Sequence, residues 1–187
     1  MAYRMYEGYF MHVAAIRVAT DPRAQTLSPN VEPGQIVPVG YVVRKDGTWH
    51  SFHFTHYLAR TGSDPTMLDE LHRVWLVGAL LAVGDALKRH DYFDHAPELE
   101  LLRHLRNGVA HGNTFRIDLT LLAKFPAHNR LARIISDNKT EFEITANLQD
   151  KPVLFDFMGP GDILDLFMSV SHYLERTGNG ENARGNS

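Results

Sequence analysis

The sequence predicts a mainly α protein, a helical bundle carrying two small β-hairpin additions. Three observations predict it. A stretch from Pro65 to about His90 is the strongest helix signal, a second proline-started helix follows it closely, and strand-like runs are confined to two short places. The chain has 187 residues, 19 Lys+Arg against 22 Asp+Glu for a formal charge of −3, and 44% hydrophobic residues. Those values suit one ordinary globular domain, here expected over residues 1–177, and exclude wholesale disorder.

Each element has its own local reason. Residues 3–19 place Met5, Tyr9, Val13 and Ile16 at helical spacing, and Thr20-Asp21-Pro22 stops the pattern. Pro22, Pro29, Pro33 and Pro38 mark residues 21–38 as a connecting loop. In VGYVVRKDGTWHSFHF a Lys45-Asp46-Gly47-Thr48 turn separates two β-branched and aromatic runs, as in a hairpin, although helix competes for the second run. Asp64 suits a helix cap and Pro65 the first helical position, so the long helix starts there. Its apolar residues, Leu68 through Leu87, cover too wide an arc for a one-sided helix, which predicts the bundle's central member. Ala96-Pro97-Glu98 opens the next helix, and Gly112-Asn113 closes it. Apolar pairs broken by Pro126 leave 117–135 weakly determined. TEFEITANLQDKPVLFDF alternates like two strands around Gln149-Asp150-Lys151-Pro152. Gly159-Pro160-Gly161-Asp162 then begins a last helix with Ile163, Leu166, Phe167, Val170 and Leu174 inward, and residues 178–187 read as a disordered tail.

Several function classes are excluded by what is missing. The longest uncharged apolar stretch, Val74 to Gly84, falls well short of the ~20 residues a bilayer requires. The start MAYRMYEGYF lacks the features of a secretory signal, so a cytoplasmic location is the expectation. The absence of cysteine removes disulfides, thiolate metal sites and a Cys nucleophile. A weakly acidic total argues against a coat of nucleic acid but leaves room for a local basic cleft. No G-x-G-x-x-G, P-loop, H-E-x-x-H or nucleophile elbow occurs.

The segment with a sharp chemical reading is LRHLRNGVAHGN, residues 102–113. At about 100° per residue, Leu102, Leu105 and Val109 define a buried arc, Arg106 falls on its edge, and His104, Asn107 and His111 share a polar face. A guanidinium cannot lose its charge, so Arg106 either snorkels to water or meets an anion, its own or an interface's. His111 equally fits a cation decorating a helix C-terminus.

The sequence RNGVAH, Arg106-Asn107 with His111 near the end of a bundle helix, resembles the R-[polar]-x-x-x-H signature of the HEPN superfamily, the higher eukaryotes and prokaryotes nucleotide-binding domains. The resemblance extends over the helices at 65–113 and the closing helix at 161–177, leaves the hairpins out, and is nearest to small bacterial plasmid-type members. It implies a homodimeric bundle in which the motifs of two protomers face one cleft. It also implies metal-independent endoribonuclease activity with no cofactor, in a stress, plasmid or toxin-antitoxin defence system with an antitoxin protein as a further partner. Arg106, Asn107 and His111 would be catalytic. Imidazole can exchange protons with a ribose 2′-OH and a 5′-oxygen, and guanidinium can hold phosphorane charge, while Asn107 would orient. Arg106 and His111 lie about 140° apart on an ideal helix, which suits a site shared across a two-fold axis. Some HEPN toxins carry a tyrosine two positions after the histidine, a target of inactivating modification; Asn113 stands there instead.

Arg103, His104 and Arg116 are the candidate RNA contacts. Between Leu101 and Arg133 the cations Arg103, Arg106, Arg116, Lys124, Arg130 and Arg133 face Asp118 alone, a pattern that fits an anion-binding face or simply a solvated basic one. His50, His53 and His56 do not converge as either strand or helix, so no metal site is expected there. Trp49 and Trp75 read as hairpin and core packing.

Overall fold

The computed structural model describes residues 1–27, 34, 39–93, 96–137 and 139–179. The described residues form seven α-helices and one two-stranded antiparallel sheet, so the chain is mainly α with a small hairpin, as expected. None of these helices is long and apolar enough to cross a membrane. The single domain expected over 1–177 is divided, in its contacts, into two compact units. One joins Met1–Tyr9 to the chain from Arg73 onward, the other is Phe10–His72, and the boundaries fall inside helices.

Helix α1 is Ala2–Ala19, and a 3₁₀ segment, Pro22–Leu27, follows it within the stretch read as loop. Pro29, Pro33 and Pro38 lie outside the described residues. Strands β1 (Val39–Val43) and β2 (Trp49–His53) pair with Tyr41 opposite Ser51. Their turn forms as its residues dictate: Gly47 takes φ +82°, and Asp46 Oδ1 accepts from the Thr48 amide at 2.9 Å and its hydroxyl at 2.7 Å. Helix did compete for the second run and won its end, because α2 (Phe54–Ser63) begins where β2 stops.

Helix α3 is Pro65–Arg89, and Asp64 caps it by accepting from the Met67 amide at 3.1 Å. Helix α4 is Pro97–Ala110. It, and not α3 as the sequence suggested, is the buried member. Leu99, Leu101, Leu102, Leu105 and even Glu98, Glu100 and His104 are enclosed, whereas Met67, Leu71 and Val74 of α3 remain exposed. The long apolar run of α3 serves two units in succession, so its width in sequence overstated its burial.

The weakly determined stretch resolves into two short helices, α5 (Leu119–Lys124), capped by Asp118, and α6 (Ala132–Ile135). The second hairpin expected over 140–157 does not form. Single bridge pairs, Thr114 with Pro152, His128 with Glu143 and Leu154 with Met158, flank a 3₁₀ turn, Ala146–Leu148. The alternating residues are spent separately: Ile144 binds Ala127 through its amide, Val153 and Leu154 bind Asn113, and no two consecutive pairs build a ladder. The reversal at Asp150 was read correctly, for its φ is +62° and Lys151 N donates to Leu148 O. Helix α7 (Pro160–Gly178) buries Ile163, Leu166, Phe167 and Val170 as expected. Of the tail, residues 180–187 lie outside the described residues.

Candidate functional site

The motif segment is positioned by two close approaches. A Cβ at Gly84 of α3 would lie 2.6 Å from Arg106 Cγ, so the missing side chain lets the arginine stem lie on α3. A Cβ at Gly108 would lie 2.3 Å from Val153 Cγ2 and 3.1 Å from the Thr114 carbonyl. Those two contacts pin the two faces of the last turns of α4.

Arg106 meets an anion of its own chain. Its Nε and Nη2 donate to Asp85 Oδ1 at 2.9 and 2.5 Å, and its Nη1 donates to Asn107 Oδ1 at 3.2 Å. The arginine side chain is 22% exposed and that of Asp85 49%. Of the five N–H groups of a guanidinium, three are thereby engaged, leaving one each on Nη1 and Nη2. Asn107, expected on the His111 side of the helix, has its side-chain oxygen on Arg106 instead. That the charge must reach water or an anion was legible in the sequence; that it meets Asp85, one residue beyond an apolar run on another helix, was not.

His111 follows the last residue of α4 and caps it, its amide donating to the Asn107 carbonyl at 3.1 Å, with its side chain exposed. It lines an open groove of about 470 Å³ with Thr114, Arg116, Ile117, Asp118, Gln149 and Asp150. Gly112 and Asn113 then take φ +84° and +60°, turning the chain sharply after the histidine. Asn113 clamps the following segment: Leu154 N donates to its Oδ1 at 2.8 Å, and its Nδ2 donates to Leu154 O at 3.3 Å. An asparagine fits this left-handed position where a tyrosine would be strained.

The groove brings His111 and Arg116 together; Arg106 does not line it. Among the other expected RNA contacts, Arg116 is exposed and forms no ion pair among the described residues. Arg103 is mostly enclosed and pairs with Glu100, its guanidinium 5.7 Å from the Phe93 ring centre. His104 is a correction: it is 6% exposed instead of lying on an open polar face with His111. Burial first and the Arg103 charge second push its pKa down to about 4, against a small opposing pull from Asp118. Its Nε2 finds no hydrogen-bond partner among the described residues.

The basic face is largely internal bookkeeping of charge. Arg130 lies 3.5 Å from Glu141 and 3.6 Å from Glu143, and Arg133 lies 2.5 Å from Glu141. Counting along one window missed these carboxylates because they come from a segment later in the chain. His50, His53 and His56 share a small depression with Tyr57, yet no three metal-ligating side chains converge among the described residues. Comparison with protein-family models, with curated proteins and with solved structures finds no match to the chain.

Proposed function

We propose that this chain is a HEPN-type, metal-independent endoribonuclease that cleaves RNA by attack of a ribose 2′-OH at a site shared by two protomers. The observation that supports it is the exposed His111 at the end of α4, in an open groove with Arg116, on the helix that also holds Arg106 rigidly with two N–H groups to spare. An imidazole there can exchange a proton with a 2′-OH or a leaving 5′-oxygen, and the spare guanidinium edge can hold phosphorane charge. Because Arg106 does not line the groove of its own protomer's His111, a second copy completes the set. RNA would be held mainly through phosphate and shape. A cytoplasmic role in a bacterial plasmid, stress or toxin-antitoxin defence system, with an antitoxin protein as partner, is part of the same proposal and rests on the resemblance of the motif.

Purified protein incubated with mixed RNAs in EDTA tests it. Cleavage should leave 2′,3′-cyclic phosphate and 5′-OH ends, spare a 2′-deoxy linkage, and pass through a maximum near neutral pH, where one imidazole of the pair is neutral and its mate protonated. Arg106→Ala and His111→Ala should each lower the rate by about a hundredfold or more with the fold intact. DNA cleavage, 5′-phosphate ends or dependence on an added divalent ion would falsify the mechanism.

One observation favours a second reading, a non-catalytic RNA- or nucleotide-binding or scaffolding module: Arg106 already has a carboxylate partner. That reading predicts RNA binding without cleavage, and binding unaffected by His111→Ala.

A further inference from the structure

We propose that Asp85 is a positioning residue for Arg106, fixing one edge of the guanidinium so that the other grips a single phosphate end-on; the inference rests on the motif being an anion-binding site. A guanidinium is planar, and a carboxylate oxygen that takes both Nε–H and one Nη2–H defines that plane. Asn107 takes one Nη1–H and stops rotation about the end of the side chain. Gly84 lets the arginine stem lie close against α3, since a Cβ there would come within 2.9 and 2.6 Å of the arginine Cβ and Cγ. What is left is one N–H on each terminal nitrogen, donors enough for two oxygens of one phosphate.

Asp85 could instead compete with a phosphate for Arg106, but its oxygen takes the Nε–Nη2 edge and leaves one N–H on each terminal nitrogen unengaged. Its side chain is half exposed, so solvent screens its repulsion of a bound anion. The carboxylate therefore costs little in charge and supplies direction. Asparagine at this position retains an oxygen able to accept the same two N–H groups; alanine retains none.

The experiment compares wild type, Asp85→Ala and Asp85→Asn by three measurements: RNA cleavage, hydrogen exchange of the Arg106 Nε–H by NMR, and titration of the arginine resonances with inorganic phosphate. Asp85→Ala should lower kcat by about tenfold to a hundredfold with a smaller change in KM, as expected of a group misplaced by an ångström or so. Its Nε–H should exchange faster, and phosphate should no longer shift the Arg106 signals. Asp85→Asn should recover most of all three. If Asp85→Ala fails to fold, Asp85→Ser, too short to reach the guanidinium, replaces it. Wild-type or higher activity in Asp85→Ala, or unchanged Nε–H exchange and phosphate shifts, overturns the inference. If wild type cleaves no RNA while phosphate binding is still lost in Asp85→Ala and kept in Asp85→Asn, the positioning role stands and the ribonuclease reading falls.

Discussion

A histidine shut away from water resists protonation, and His104 carries a measurable consequence of that. Its pKa of about 4 lies below the ordinary 6.5, so the unfolded chain binds the proton more tightly than the folded one. The stabilisation from keeping it neutral is complete above the unfolded value and is lost as pH falls through 6.5 toward 4. From that difference, unfolding free energy should drop by about 2 kcal/mol between about pH 8 and pH 5 on this residue's account. Denaturant melts of wild type and His104→Gln at both pH values check it: the variant should show a flatter profile, and an equally steep one would refute the assignment. The helical wheel set His104 beside His111 on one face, 20° apart by about 100° per residue, but could not show that the first is enclosed and the second open. Charge at Arg106 was legible as a demand for water or an anion; which of the two, and which anion, was a matter of contact.

At the scale of elements, the end of α4 depends on glycine for closeness. Gly108 faces Val153, which is fully buried, and the Thr114 carbonyl, which sits 3.1 Å from where a Cβ would be. Gly108→Ala should therefore destabilise by about 1–3 kcal/mol, the cost of overpacking, despite alanine's better helix propensity. Combining it with Val153→Ala should recover part of that loss beyond additivity, because the two side chains contend for one space. Chemical denaturation of the four variants reads the coupling, and strictly additive losses would contradict the close approach. The same segment explains why the expected second hairpin is absent. Its alternating residues are individually claimed by α4's end, by Phe142 stacking edge-on to Phe157 at 5.3 Å, and by Ala127. Alternation in sequence reports which side chains are buried in extended chain, and that holds whether or not a ladder joins them.

For the whole molecule, the proposed site makes assembly and activity inseparable. Mixing Arg106→Ala with His111→Ala protomers should give heterodimers whose cleavage rate differs from the mean of the two parents, since the shared cleft then holds one intact arginine and one intact histidine, a set that neither parent has. Light scattering on the same samples should give a dimer mass. A monomer that retains activity would end the shared-site reading. The two compact units each present apolar side chains to solvent, Val43 and Trp49 in one and Val74 in the other among them, so mass should be measured across a concentration range.

Local chemistry determined by itself several of the helix boundaries. Asp64-Pro65, Ala96-Pro97, Gly112-Asn113 and Gly159-Pro160 act through backbone groups within a few residues, and each boundary lies where those residues put it. The hairpin turn at Asp46-Gly47 is of the same kind. Only the tertiary structure decided which helix is buried, that Arg106 is held by Asp85, that Arg130 and Arg133 pair with Glu141, and that His104 is enclosed while His111 is open. Capping and turn energies are set by neighbours along the chain, whereas these ion pairs join residues 8 to 21 positions apart across different elements, and no periodicity carries that information.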